Sequence, residues 1–181
     1  ELDVRSQKLI EKRLRGAFPA IAILGEEGIT GDVEADRRWV VDPIDGTVNF
    51  TYGIPHACIS IALQEKTARS KRHGLGGFET IIGVVYDPFT DELFTAIKGQ
   101  VAKLNGKPIA VSGRTRLEES IVSIGFAKST ESLAQMLPQF NELVHQVRKI
   151  RIMGAAALAM VYVAAGRFCA YVGTTVPFLD V

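Results

Sequence analysis

A chain of 181 residues with 47% hydrophobic content carries enough apolar side chain for a sizeable core, in one large or two small domains. Its 21 Lys and Arg nearly cancel its 20 Asp and Glu, which argues against the basic footprint of a nucleic-acid or anionic-membrane binder and confines any phosphate site to a local cluster. The longest apolar stretch, Ala155 to Ala165, is too short to span a bilayer, and no charged-then-apolar leader opens the chain, so a soluble globular protein without a membrane span is predicted.

Leu9, Ile10, Leu14 and Phe18 form a helical stripe with Lys, Arg and Glu between them, predicting an opening helix closed by Pro19. The pattern is already under way at the first residues, as in a segment whose start lies upstream. Ala20 to Leu24 reads as a short strand ending at the turn Gly25-Glu26-Glu27-Gly28, and Arg38 to Val41 reads as a buried strand with Trp39 in the core. That strand runs into Asp42-Pro43-Ile44-Asp45-Gly46-Thr47, where Pro and Gly favour a turn. Ala57 to Leu63, Thr80 to Tyr86 and Glu92 to Ile97 are β-type runs that predict an antiparallel meander. The basic, then glycine-rich Lys66 to Gly77 reads as its mobile hairpin loop, and its run Arg69 to His73 as solvated surface.

Asn105-Gly106 marks a further hairpin leading to Ile109-Ala110-Val111, and Ile121 to Ile124 a strand. An amphipathic helix follows over Glu131 to Val147, with Leu133, Met136, Leu137, Phe140 and Leu143 inward and a kink or break at Pro138. After a strand at Ile150 to Met153, the helix Gly154 to Ala165 is apolar nearly all round, as for a helix sandwiched inside the fold, and a strand follows over Phe168 to Val172. Cys58 and Cys169 lie in apolar runs without the paired spacing of a zinc or redox motif; they read as buried free thiols, in keeping with a reducing cytoplasm. His56 and His73 read as packed or surface residues. The irregular alternation of strands and helices, with hairpins among them, points to layered α/β or α+β architecture.

The chemistry gathers at one strand end. Asp42 and Asp45 stand three residues apart across Pro43-Ile44, so their carboxylates can converge with the Ile44 carbonyl between them, a set of hard oxygens suited to magnesium. Gly46 and Thr47 offer backbone NH groups at a turn or helix start, the arrangement that binds phosphate oxygens. Glu26 and Glu27 follow a separate strand, and one of them can complete a metal site from there.

The uninterrupted run Trp39-Val40-Val41-Asp42-Pro43-Ile44-Asp45-Gly46-Thr47-Val48-Asn49-Phe50 closely resembles the first signature of the inositol monophosphatase family. Ala22 to Glu27 resembles the upstream glutamate motif of that family, Gly83 to Pro88 its central hairpin, and Leu104 to Gly106 and Val163 to Gly166 later segments in the expected order. The resemblance covers essentially the whole chain as one domain, 1–181, and implies a layered αβαβα sandwich of the sugar-phosphatase type.

By position, the resemblance implies that Glu26 binds a catalytic metal, that Asp42 bridges two metals, that the Ile44 carbonyl binds one of them, and that Asp45 binds the second while touching a substrate hydroxyl. Gly46 and Thr47 would hold phosphate through their NH groups, and Thr47 with Asp3 would orient the attacking water, although Leu2 stands where the family has Thr. Asp180 is the equivalent of the Asp in the second family signature, with Leu179 in place of Trp. The strands and helix that follow that signature are not among these 181 residues, so a segment incomplete at both ends is implied. Gly173 stands where inositol-specific members carry a glutamate, which leaves the substrate open between inositol 1-phosphate and related polyol or sugar phosphates, with fructose 1,6-bisphosphate and histidinol phosphate as alternatives. The resemblance further implies Mg2+ as cofactor, lithium sensitivity, hydrolysis of a small phosphorylated substrate by metal-activated water, and a cytoplasmic homodimer. The competing expectation is a non-catalytic binding or regulatory protein on the same fold.

Overall fold

The computed structural model of the protein describes residues 2–67, 77–126 and 129–173. Helix α1 (Leu2–Ala17) leads to the short strands β1 (Ala22–Gly25) and β2 (Gly28–Thr30), then the long β3 (Arg37–Asp45) and the single-turn helix α2 (Thr47–Thr51). The meander β4 (Cys58–Lys66), β5 (Phe78–Asp87) and β6 (Glu92–Ile97) follows, with the small hairpin β7 (Lys103–Leu104) and β8 (Lys107–Pro108). The last elements are β9 (Ile121–Gly125), α3 (Thr130–Val144), β10 (Lys149–Arg151), α4 (Ala156–Ala164) and β11 (Ala170–Gly173).

Strands β1 to β8 form one sheet in the order β2-β1-β3-β4-β5-β6-β7-β8, antiparallel except for the parallel pair β1 and β3. Strands β10-β9-β11 form a second, parallel sheet. Three clusters stack these elements. On one face of the large sheet Ile23, Trp39, Val41 and Leu63 pack with Ile10 and Leu14 of α1. Across the other face Cys58 and Phe94 meet Ala157 and Leu158 of α4. Beyond α4, which also touches β11, the second sheet closes on α3 through Val122, Ile124 and Met136. The layers therefore run α1, large sheet, α4, second sheet, α3, the αβαβα order. A helix with a sheet on each side has no wet face, which is why Ala156–Ala164 is apolar all round and none of its residues is exposed.

Several elements depart from the sequence reading, each for a local reason. Strand β3 does not end at Val41 in a turn but continues through Asp45 with an irregular register between Asp42 and Asp45. Leu9 faces solvent, whereas Gln7 is the buried residue of α1. The amide of Gln7 tolerates burial because Nε2 donates to Glu11 Oε1 (2.8 Å) and the Gly28 carbonyl (3.3 Å), while Oε1 accepts from the Glu27 NH (2.8 Å). Helix α3 starts one residue earlier and ends at Val144, and it runs unbroken through Pro138. Pro138 lies on its exposed side, where water can satisfy the carbonyl that loses its partner. Ser132 takes the inward position expected of Leu137, which is exposed; its NH is capped by Ser129 Oγ at 3.1 Å.

Cys58 is buried as expected, but Cys169 is only half-buried; neither forms a disulfide. The meander appears as predicted, and the β7–β8 turn places Asn105 (φ 47°) and Gly106 (φ 77°) in the left-handed region. Most of the Lys66 to Gly77 loop, with its basic run and His73, lies outside the described residues. Among the described residues no helix is long and apolar enough to cross a membrane.

Leu158 is 0% exposed at the centre of the cluster that joins α4 to the large sheet. Leu158→Ala is expected to lower unfolding free energy by about 2–5 kcal/mol in urea titrations, without a change in slope. A loss below about 1 kcal/mol would show that α4 is held by other contacts.

Candidate functional site

In a regular strand side chains alternate, so Asp42 and Asp45 would face opposite sides of the sheet. The register irregularity between them removes that alternation. Both aspartates are buried, at 5% and 8% exposure. Asp42 stabilises the irregular segment itself, with Oδ1 accepting from the Ile44 NH at 3.0 Å. Ser6 Oγ on α1 donates to the Pro43 carbonyl at 3.4 Å, which ties the first helix to the same segment.

Gly46 follows with φ 89° and ψ 34°, and a Cβ there would sit 3.0 Å from the His56 carbonyl and 3.1 Å from Ala155 Cβ. Both the left-handed backbone and the close approach demand glycine. Thr47 opens α2, and its Oγ1 donates to the Ile44 carbonyl at 2.9 Å. That carbonyl keeps one lone pair for another partner. Asn49, one turn on, clamps two distant segments: Nδ2 donates to the His56 carbonyl (2.9 Å) and to the Met153 carbonyl (2.7 Å).

The clamp brings the start of α4 against Asp45. The residue before α4, Ala155, supplies no side-chain cap. Asp45 supplies it instead across more than a hundred residues, with Oδ1 accepting from the Ala156 NH (3.1 Å) and Oδ2 from those of Ala157 (2.8 Å) and Leu158 (3.4 Å). A carboxylate at a helix N-terminus satisfies free NH groups and meets the positive end of the dipole. Cys58 Sγ, the fourth donor to this carboxylate, reaches Oδ2 at 3.5 Å. Burial pushes the Asp45 carboxyl above its ordinary range, and these four donors pull it back. Burial and the Asp45 charge push the Cys58 thiol far upward, so it is a proton donor and not a thiolate nucleophile.

Glu26 arrives from β1, its NH donating to the Val41 carbonyl at 3.2 Å. Its carboxyl is raised, first by burial and then by the charges of Glu27, Asp3 and Asp45, while a hydrogen bond with Asp42 lowers it. Asp3, in the first turn of α1, has a buried Oδ1 without a hydrogen-bond partner among the described residues. Asp3, Asp42 and Asp45 thus lie within electrostatic reach of Glu26, beside the run Ile44, Gly46 and Thr47. Asp180 lies outside the described residues. Among the described residues no three His, Cys, Asp or Glu side chains form a ready-made cage for one ion. The donor set nevertheless fits a hard divalent cation: all of its atoms are oxygens, they repel one another, and Asp3 Oδ1 is buried without a donor.

Sequence reasoning missed the NH groups of α4, Asn49 and Cys58. An Ala-rich helix start carries no sign that a remote acid caps it. His56 is also drawn in: it is buried beside Tyr162, Nε2 has no partner, and burial lowers its pKa against the opposing pull of Asp87 and Asp45.

The inositol monophosphatase family profile matches residues 1–180. The chain is 43% identical over 177 residues to a protein of Pseudomonas aeruginosa named Nus factor SuhB, covering 94% of this chain and 61% of that protein. It is 39% identical over 173 residues to inositol monophosphatase 1 of Solanum lycopersicum, covering 92% of this chain and 59% of that one. The chain therefore spans about three fifths of the length of these relatives. The crystal structure of the extragenic suppressor protein suhB from Bartonella henselae superposes with a TM-score of 0.81 at 37% identity, over 92% of this chain and 61% of that chain. A structure of SaIMPase-II with bound inositol monophosphate gives 0.75 at 31% identity, over 93% and 61%. The chain belongs to the inositol monophosphatase family.

Proposed function

We propose that this protein hydrolyses a small phosphate monoester with the help of magnesium. The observation that carries the reading is the approach of Asp3 and exposed Glu26, from two other elements, to the buried Asp42 and Asp45 of β3, a gathering of carboxylates whose mutual repulsion a cation would relieve. Glu26, Asp42, the Ile44 carbonyl and Asp45 would hold the ions, with Asp180 as a further ligand. Bound magnesium supplies Lewis-acid polarisation of the phosphate, a more acidic water and charge neutralisation of the leaving alkoxide. The backbone NH groups of Gly46 and Thr47, in the left-handed turn that opens α2, bind phosphate oxygens. Thr47 and Asp3 orient the attacking water, Asp3 through its buried Oδ1. The protonated Cys58 offers no covalent route.

The substrate would be a phosphorylated polyol, sugar or amino alcohol. Gly173, the last residue of β11, presents no side chain to select inositol, so inositol 1-phosphate is one member of a wider set. A second reading, a regulatory protein on the same fold, is favoured by one observation: relatives at 43% and 36% identity carry the name Nus factor SuhB. The retained cluster of repelling acids speaks for catalysis.

Release of phosphate from a panel of monoesters, with inositol 1-phosphate included, tests the reading. Turnover is expected only with magnesium and is expected to fall when lithium is added. Asp42→Asn is expected to lower kcat/KM by at least about 100-fold with folding retained. No turnover by the magnesium-loaded, folded protein would favour the regulatory reading.

Magnesium binding is also readable as stability. At a hundredfold excess over its Kd, magnesium is expected to stabilise the wild type by about 2.7 kcal/mol, seen as a rise in Tm that Asp42→Asn abolishes. An equal rise in both proteins would place the ion elsewhere.

Without divalent ions the pH dependence has a definite sign. The raised folded-state pKa of Glu26 means that the native state holds a proton that the unfolded chain releases, so the Glu26 contribution falls as pH rises from the ordinary range near 4.5 through the raised value. In EDTA, the Tm of wild type relative to Glu26→Gln is expected to decline across that window. A constant difference would show that the cluster does not load Glu26.

A further inference from the structure

We propose that Cys58 is a positioning residue that fixes the orientation of the Asp45 carboxylate, so that one of its oxygens is left to meet a cation. The inference rests on the metal-site reading above. Cys58 opens β4 directly opposite Asp45 in the β3–β4 register, and it is 2% exposed. The two oxygens of Asp45 are unequally occupied. Among the described residues Oδ2 accepts from the NH groups of Ala157 and Leu158 and from Cys58 Sγ, whereas Oδ1 accepts only from the Ala156 NH.

A carboxylate oxygen has two lone pairs, so three donors saturate Oδ2 while Oδ1 retains one pair. Asp45 would therefore meet a cation through its less occupied oxygen. A half-turn about the Cβ–Cγ bond merely exchanges two equivalent oxygens, so what the donors set is the orientation of the carboxylate plane. The NH groups of α4 hold that plane from one side, and Cys58 holds it from the paired strand. The thiol suits this place because an ordinary thiol is an S–H donor at neutral pH, and its apolar sulfur also belongs to the cluster of Phe94, Ala157 and Leu158.

Two substitutions separate the donor from the packing. Cys58→Ala removes the donor, and Cys58→Ser restores a donor on a side chain of similar size. The readout is the magnesium concentration at half-maximal rise in Tm, which requires no substrate. Cys58→Ala is expected to raise this midpoint about tenfold, the low end for loss of a group that orients a metal ligand, while Cys58→Ser stays within about twofold of wild type. Cys58→Val, which lacks a donor and fills the pocket, provides the same comparison if the alanine variant does not fold.

An unchanged midpoint in Cys58→Ala or Cys58→Val would overturn the proposal, as would an equal shift in the serine variant, since packing alone would explain that. The proposal and the phosphatase reading fail separately. A wild-type protein that gains stability with magnesium yet turns over no ester would refute hydrolysis and leave the role of Cys58 to be decided by its midpoints. A wild type with no response to magnesium would refute both.

Discussion

The bond between Asp45 and the start of α4 is the constraint on which the rest of the molecule depends. It ties the end of the long strand β3 to a helix that begins 111 residues later, through three backbone NH groups. Asn49 reinforces the same junction by holding the Met153 carbonyl just before the helix. Because Ala155 supplies no cap of its own, the first turn of α4 is satisfied only when the large sheet is in place. Site assembly and the packing of the two sheets around α4 are consequently one event. A site of this kind exists only in the folded protein.

The same bond resolves a conflict between burial and charge. Asp42 and Asp45 are buried, and Glu26 and Asp3 lie close to them. Unpaired buried carboxylates are costly, and their mutual repulsion adds to the cost. Asp45 is accommodated by four donors, and Asp42 by the Ile44 NH and the bond with Glu26. Asp3 Oδ1 has no such partner. The uneven distribution of donors differs from that of a purely structural network, which would satisfy every oxygen internally.

How much of this was legible in the sequence follows from the range of each interaction. The strands of the meander, the Asn105-Gly106 turn and the apolar helix were readable because periodicity and turn chemistry act over a few residues. The acids of the site were readable because Asp42, Ile44, Asp45, Gly46 and Thr47 are contiguous, and because a long uninterrupted run is specific to a family. What was not legible depends on distant partners. The burial of Gln7 has no local signal, since its three partners, Glu11, Glu27 and Gly28, are assembled only by folding. Leu9 and Leu137 matched the hydrophobic period, but the neighbouring sheet covers a narrower arc of each helix than the period allows. The continuation of β3 through Asp45 was hidden by Pro43 and Gly46, which signal a turn locally, whereas pairing with β4 keeps the segment extended.

Cys58 shows how packing and chemistry share one residue. In the sequence it is a small apolar side chain in a strand, and burial at 2% exposure agrees with that reading. Its register against Asp45 gives the sulfur a second role that no local pattern encodes. The strand irregularity matters here as well: it moves Asp45 to the face that Cys58 and α4 share, and a regular strand would place the carboxylate on the opposite side, away from both. One extra residue between Asp42 and Asp45 therefore decides two things together, namely that both acids share one face of the sheet and that Asp45 caps α4.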